Sequence, residues 1–369
     1  MLRDYSCEVC FAMNILSWIM SVMLTLSALS VPAEATVVPT EISAKGCIVI
    51  DALSGDVLYE KNSGERLPMA STTKIMSALI ALESGDLDAP FTVDSEAIKV
   101  EGSSMGLQEG DTVTMRALVT GMLLPSGNDA AGAAAVRIAG SVEGFVSMMN
   151  ARAQAMGLTD THFVTPSGLD DYTDEHYSTA RDMAMLTREA LKNPDFAEIC
   201  SKKTAQLMFG DPPYTRWLTN TNKLLSSLEG CVGVKTGFTD KAGRCLVSAC
   251  ERNGSTLICV TLNDRDDWAD HTHLYGYAFS LMREVQLTSE LSGYKIDTAD
   301  GGRVYCQGEA MQISLPSSAV GRLERYTIIR PFLYTPAAAG EQVGVTVFTL
   351  DGEVLARLPI ITVEEYKAG

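Results

Sequence analysis

Two short apolar runs, Gly46–Asp51 and residues 57–60, flank Ser54-Gly55-Asp56, so the first patterned segment predicts a β-hairpin. From Ser71 the spacing changes. Apolar residues recur at Ile75, Ala78, Leu79 and Leu82, the period of a helix. Residues 115–200 are rich in Ala, Leu and Met with few β-branched runs, which predicts a mostly helical region. Strand-like runs return at 232–238, 245–250 and 256–262, separated by polar, glycine-containing turns at 239–243 and 252–254. An amphipathic helix from about 268 to 282 follows. Past Val285 the chain returns to short strands, and Gln342–Leu350 meets 354–361 at Asp351-Gly352, a dipeptide suited to a tight hairpin.

These elements predict an α+β fold. The hairpin and the later three-strand meander assemble into one antiparallel sheet with the helical region inserted between them. A small all-β C-terminal domain is expected at 285–369. The leading residues read as a signal peptide, 1–35. A long apolar stretch from Phe11 to about Leu29 precedes Ala33-Glu34-Ala35, an A-x-A cleavage pattern. Arg3 is the only base ahead of it, against Asp4 and Glu8, which leaves open a start at Met13 or retention as an anchor. Either way the chain is expected to be exported, with its main domain at 36–284.

Composition narrows the partners. At 46% apolar residues the 369-residue chain can bury a large core, and a formal charge of −17 argues against nucleic acid or an anionic membrane surface. The final strand-like run is followed by only six residues, with Glu364, Glu365 and Lys367 and a single aromatic, too little for a membrane-surface helix. A mature chain cut after Ala35 is therefore expected to be soluble outside the cytoplasmic membrane. Cys7-x-x-Cys10 lies in the leader without a redox context. The other seven cysteines are odd in number, lack a disulfide spacing and read as small core residues. His271-Thr272-His273 beside Asp264, Asp266, Asp267 and Asp270 is the one cluster resembling metal ligands. Alternating histidines on a helix point apart, so a solvated face is expected and no metal or cofactor.

The chemistry lies in three short motifs. Ser71-Thr72-Thr73-Lys74 opens the first helical run. Ser71 and Lys74, three apart, share a face, so an amine whose charge is suppressed by burial can take the hydroxyl proton. Ser292-Gly293-Tyr294-Lys295 has the same spacing but sits in the β-rich tail and reads as accidental. Ser126-Gly127-Asn128 follows Leu123-Leu124-Pro125 between two helices, where a connector can push a hydroxyl and an amide into a cleft, or can simply cap a helix. Lys235-Thr236-Gly237 lies on the first meander strand, offering a positive field, a hydroxyl and a bare backbone edge.

In this order the three motifs resemble those of penicillin-binding proteins and class A β-lactamases. The wider text resembles the low-molecular-mass serine D-alanyl-D-alanine carboxypeptidases of peptidase family S11. That likeness rests on Gly55 to Asn62, Met69-Ala70 before Ser71, Leu107-Gln108-Glu109-Gly110-Asp111, Tyr177 to Met183, and Lys235 to Gly243. It implies a β-lactamase/transpeptidase-like fold and removal of the terminal D-alanine from peptidoglycan pentapeptides, with β-lactams as acylating inhibitors. Carried over by position, Ser71 forms the acyl-enzyme, Lys74 is its base and Ser126 relays a proton. Asn128 binds the substrate amide, Lys235 and Thr236 hold the terminal carboxylate, and the N–H groups of Ser71 and Phe238 form the oxyanion hole beside Gly237. Two departures stand out. Phe238 occupies a position that is often histidine, and the arginine usual before the last helix is replaced by Asp264-Arg265-Asp266-Asp267, leaving Arg265 or Arg244 for the carboxylate.

Other readings are weaker. A class A β-lactamase needs a deacylating glutamate, and Glu189-x-x-Lys192-Asn193 departs from the usual E-x-x-L-N. Gly102-Ser103-Ser104-Met105-Gly106 matches a nucleophile elbow formally but runs into a turn rather than a helix. A β-lactam sensor without turnover would also keep the fold, against which the intact Ser71, Lys74, Ser126 and Lys235 argue.

Overall fold

The computed structural model describes residues 38–170, 173–289 and 293–367. The expected leader, its two cysteines and Ser292 lie outside the described residues. In chain order, β1 (Gly46–Asp51) and β2 (Val57–Lys61) form the first hairpin. A 3-10 turn at Ala70–Thr73 then leads into α1 (Lys74–Glu83). Short β3 (Phe91–Thr92) and β4 (Thr112–Val113) pair ahead of α2 (Met115–Leu123), α3 (Asn128–Ala139) and α4 (Val142–Ala155). After α5 (Ala180–Ala190) and α6 (Pro194–Cys200), β5 (Thr204–Gly210) and β6 (Pro213–Thr219) form a second hairpin, and α7 (Leu224–Ser227) precedes the meander.

The meander is β7 (Cys231–Thr239), β8 (Gly243–Arg252) and β9 (Ser255–Asp264). It joins the N-terminal hairpin in one antiparallel five-stranded sheet of order β2-β1-β9-β8-β7. The two faces bury different residues because side chains alternate along a strand. Ile48, Ile50, Ile258 and Val260 face the large helical core. Cys47, Val49, Leu257 and Cys259 face α8 (Asp267–Ser280) through Leu274, Tyr275 and Ala278. With both faces covered, β8 and β9 read as nearly continuous apolar runs. Helix starts follow local chemistry: Thr114, Ser141 and Thr179 accept hydrogen bonds from the first turns of α2, α4 and α5, and Asn193 caps α6 ahead of Pro194.

Beyond α8, β10 (Met282–Thr288) starts at once and pairs with β13 (Ala310–Pro316). A second five-stranded sheet is built from β11 (Tyr294–Asp297), β12 (Arg303–Gly308), β14 (Leu323–Ile329), β15 (Gln342–Leu350) and β16 (Glu353–Thr362), in the order β11-β12-β16-β15-β14. Asp351 and Gly352, at φ 51° and 85°, make the tight turn their sequence favours. This β region holds the first hairpin through Arg322, whose guanidinium bonds Asp56 (2.6 Å) and Asp351 (3.1 Å).

Three expectations need correction. Helix does not run through 115–200: residues 156–170 and 173–179 are irregular, punctuated by Gly157, Pro166 and Gly168. The β5–β6 hairpin was not anticipated. His271 is not on a solvated face. It is fully buried, with Nδ1 2.7 Å from Ser248 Oγ and Nε2 3.0 Å from Thr261 Oγ1, while His273 is exposed. The seven cysteines among the described residues are free thiols, six of them buried. No helix among the described residues is long and apolar enough to cross a membrane.

Burial holds the His271 imidazole neutral, its pKa pushed down to about 3. In the unfolded chain the ring protonates near pH ~6.5, so the unfolded state binds the additional proton and stability is lost as pH falls from there towards 3. His271→Gln removes this contribution. Between pH 7 and 5 the variant should lose about 2 kcal/mol less stability than the parent in urea unfolding. Asp264, raised to about 6 mainly by burial, works in the opposite direction but is common to both proteins. Equal losses would show that His271 is not the titrating group.

Candidate active site

The site forms where the 3-10 turn, the α2–α3 connector, the 163–170 loop and β7 meet. Ser71 is half-buried in the turn and Lys74 begins α1 with no exposed surface. Lys74 Nζ has three partners: Ser71 Oγ at 2.9 Å, Asn128 Oδ1 at 2.7 Å and the Ser167 carbonyl at 2.7 Å. Burial, then the charge of Lys235, push its pKa well below the ordinary lysine value; Asp129 opposes them. A neutral amine has two N–H bonds and one lone pair. The N–H bonds satisfy the two carbonyl oxygens, so the lone pair is left for the Ser71 hydroxyl proton. This arrangement lets the amine, when neutral, accept a proton from the Ser71 hydroxyl.

Backbone strain frames Ser71. Ala70, immediately before Ser71, sits at φ 47°, and Ser126 at φ 67°, both left-handed and neither glycine. The turn can be so tight because its neighbours lack side chains. A Cβ on Gly168 would lie 2.0 Å from the Ala70 carbonyl oxygen, and one on Gly237 would lie 3.1 Å from Ser71 N. Gly237 thus lays the β7 backbone against the Ser71 N–H.

The α2–α3 connector places Ser126 (6% exposed) and Asn128 (4%) at the buried edge. Pro125 ends α2, and the Asn128 N–H donates to Ser103 O. The Asn128 amide is fixed at both ends, its Nδ2 donating to the Glu101 carbonyl at 2.7 Å. Asp129 explains the nearby Gly102–Gly106 segment. Its carboxylate accepts from Ser104 Oγ at 2.5 Å and from the N–H groups of Met105, Gly106 and Leu107, so Ser104 is a loop anchor rather than a nucleophile.

On β7, Lys235 is 1% exposed, and burial brings its pKa down to about 7. Its Nζ donates to the Thr236 carbonyl at 2.7 Å. Thr236 Oγ1 lies 2.6 Å from Thr221 Oγ1, a second hydroxyl that the motifs did not reveal. Phe238 projects outward, 63% exposed. Of the two reserve arginines, Arg244 is bonded to Asp267 and lies beside the Trp268 ring, and Arg265 is exposed just ahead of α8. Glu189 pairs with Lys192 and Arg152 on the helical surface, away from Ser71, which removes the β-lactamase glutamate. Beyond Thr221, the contributors missed from sequence are the Ser167 carbonyl, Gly168 and Asp129.

A sheet flanked by helices on both faces, with a serine hydroxyl set against a buried lysine amine at its edge, defines a serine-type hydrolase of the β-lactamase/transpeptidase-like class. A family model described as D-alanyl-D-alanine carboxypeptidase, peptidase S11, matches residues 33–266, more than half of the chain. The chain belongs to that family. Among curated relatives, D-alanyl-D-alanine carboxypeptidase DacF of Bacillus subtilis is 31% identical over 341 residues, covering 88% of this chain and 86% of its own. DacC of Escherichia coli is 32% identical, with 91% and 88% covered. Among solved structures, DacD from Francisella tularensis matches with a TM-score of 0.64 at 28% identity, over 91% of this chain and 97% of its own. The Streptomyces K15 DD-transpeptidase matches at 0.63 and 34%, over 66% of this chain and all of its own.

Gly168 offers a direct test of the packing. Gly168→Ala adds a methyl where Ala70 O stands and strains φ +90°, so it should displace the Ser167 carbonyl from Lys74. Acylation by a fluorescent penicillin should slow roughly 100-fold. Gly140→Ala, equally left-handed but in open space, should cost stability alone. Equal acylation in the two variants would contradict the packing argument.

Proposed function

We propose that this carboxypeptidase removes the terminal D-alanine of peptidoglycan pentapeptide stems through an ester on Ser71, with the division of labour that follows. Ser71 Oγ attacks the carbonyl of the penultimate D-alanine as its proton passes to the Lys74 amine. The oxyanion is held by the N–H groups of Ser71 and Phe238. Ser126 passes the proton on to the departing D-alanine nitrogen, and the C–N bond breaks. Water then attacks the ester, gives its proton to Lys74, and Ser71 Oγ leaves with a proton. Asn128 orients the substrate amide, while Lys235 and Thr236, joined by Thr221, meet the terminal carboxylate. No metal or cofactor enters the scheme.

The three-partner environment of Lys74 supports this reading above all, because it leaves the amine one function, accepting the Ser71 proton. A leader cut after Ala35 would deliver residues 36–284 as the peptidase unit and 285–369 as an accompanying β domain outside the cytoplasmic membrane, where peptidoglycan and β-lactams are met.

The test is mass spectrometry of a pentapeptide incubated with the purified protein. The parent should release one D-alanine and carry penicillin covalently, and Ser71→Ala should do neither. Hydrolysis persisting in Ser71→Ala, or abolished in the parent by a chelator, would reject the assignment.

Lys235 adds a pH signature. Its free-enzyme pKa of about 7 means that the charge attracting the carboxylate is lost as pH rises through neutrality. KM for the pentapeptide should therefore rise above pH 7, roughly tenfold per unit where that charge governs binding. Lys235→Arg, which stays charged, should flatten this limb. An unchanged alkaline limb in the arginine variant would exclude Lys235 as its source.

A further inference from the structure

The irregular stretch ahead of α5 carries a histidine that the scheme above does not use. His176 is 1% exposed. Its Nδ1 accepts from the Val164 N–H at 2.9 Å, so the ring proton is on Nε2, which lies 2.8 Å from Thr73 Oγ1 and donates to it. Thr73 is fully buried in the turn between Ser71 and Lys74. Val164 stands three residues before Ser167, whose carbonyl accepts from Lys74 Nζ, and the intervening Pro166 carbonyl accepts from Ser77 Oγ on α1. The imidazole therefore spans the two stretches of backbone between which the Lys74 amine is held.

We propose that His176 is a positioning residue: a strut from Thr73 to the Val164 backbone that holds the Ser167 carbonyl against Lys74 and so aims the amine's lone pair at Ser71. The inference rests on Lys74 being the base. The strut works only as a neutral ring, since a proton on Nδ1 would oppose the Val164 N–H. Burial, His162, Lys241 and Lys74 all disfavour that proton and hold the His176 pKa down at about 4. A rigid two-ended contact of this kind acts on direction rather than on charge. Displacements of about 1 Å at a reacting group cost up to ~100-fold in rate.

The test measures pseudo-first-order acylation by excess benzylpenicillin across pH, a rate constant independent of how much protein is folded. Thr73→Val removes the acceptor while keeping the shape, Thr73→Ser restores a hydroxyl, and His176→Gln removes the strut from the other end. Thr73→Val and His176→Gln should each acylate about 10–100-fold more slowly. Thr73→Ser should return close to the parent, and the double variant should be no slower than the slower single one. The acid limb, which reports Lys74 with Lys235 and Asp129 facing it, should move to lower pH once the Ser167 carbonyl no longer steadies the ammonium form. A purely structural histidine would lower the melting temperature and leave both the rate constant and the limb in place. That result in either single variant, or a Thr73→Ser protein as slow as Thr73→Val, overturns the strut. Lys74→Ala is the separate control: full labelling of Ser71 in its presence would refute the base assignment itself.

Discussion

Removing one amine from water sets the terms for everything around Ser71. An ammonium ion in a fully enclosed position is costly, and burial with Lys235 nearby pushes the Lys74 pKa well below the ordinary lysine value. Its hydrogen-bond partners are a hydroxyl and two carbonyl oxygens rather than a carboxylate. A lysine paired with a carboxylate would be held in its charged form, whereas one in this setting gives up its proton more readily. The surroundings follow from this requirement. The amine's partners are uncharged carbonyl oxygens, a second buried lysine stands nearby, and the one acid on the neighbouring helix, Asp129, is occupied by backbone N–H groups and a serine hydroxyl.

That requirement also accounts for where the fold spends strain. Left-handed Ala70 and Ser126 would each favour a different backbone in isolation. They are kept because the central sheet, through Gly237, and the 163–170 loop, through Gly168, press on the turn from two sides. Rigid strands and a helix start carry the side chains of the site, and the surrounding packing absorbs the cost of their conformation.

Much of this was legible from the chain alone. Ser71 and Lys74, Ser126 and Asn128, and Lys235 to Gly237 announce themselves because side-chain chemistry repeats at short spacings, and the sheet followed from strand periodicity with turns at Gly55, Gly254 and Gly352. What escaped was carried by backbone or by distance. The Ser167 carbonyl has no side-chain signature. Thr221 reaches Thr236 only because the β5–β6 hairpin, with no Asn-Gly turn to flag it, delivers the chain there. His271 was read as solvated because a lone helix pattern does not show that Ser248 and Thr261 on adjacent strands wait beneath it.

The distribution of thiols has a consequence of another kind. Cys200 and Cys245 lie in the helical core, Cys47, Cys250 and Cys259 under α8, and Cys306 in the C-terminal sheet. Burial raises the pKa of each of these thiols, to about 12 for Cys47, Cys200 and Cys245, so almost no thiolate exists at neutral pH while the layers stay closed. An alkylating reagent can reach any one of them only after its own layer opens. The molecule therefore carries internal clocks, one or more per layer, and the order in which they are modified records the order in which its parts come undone.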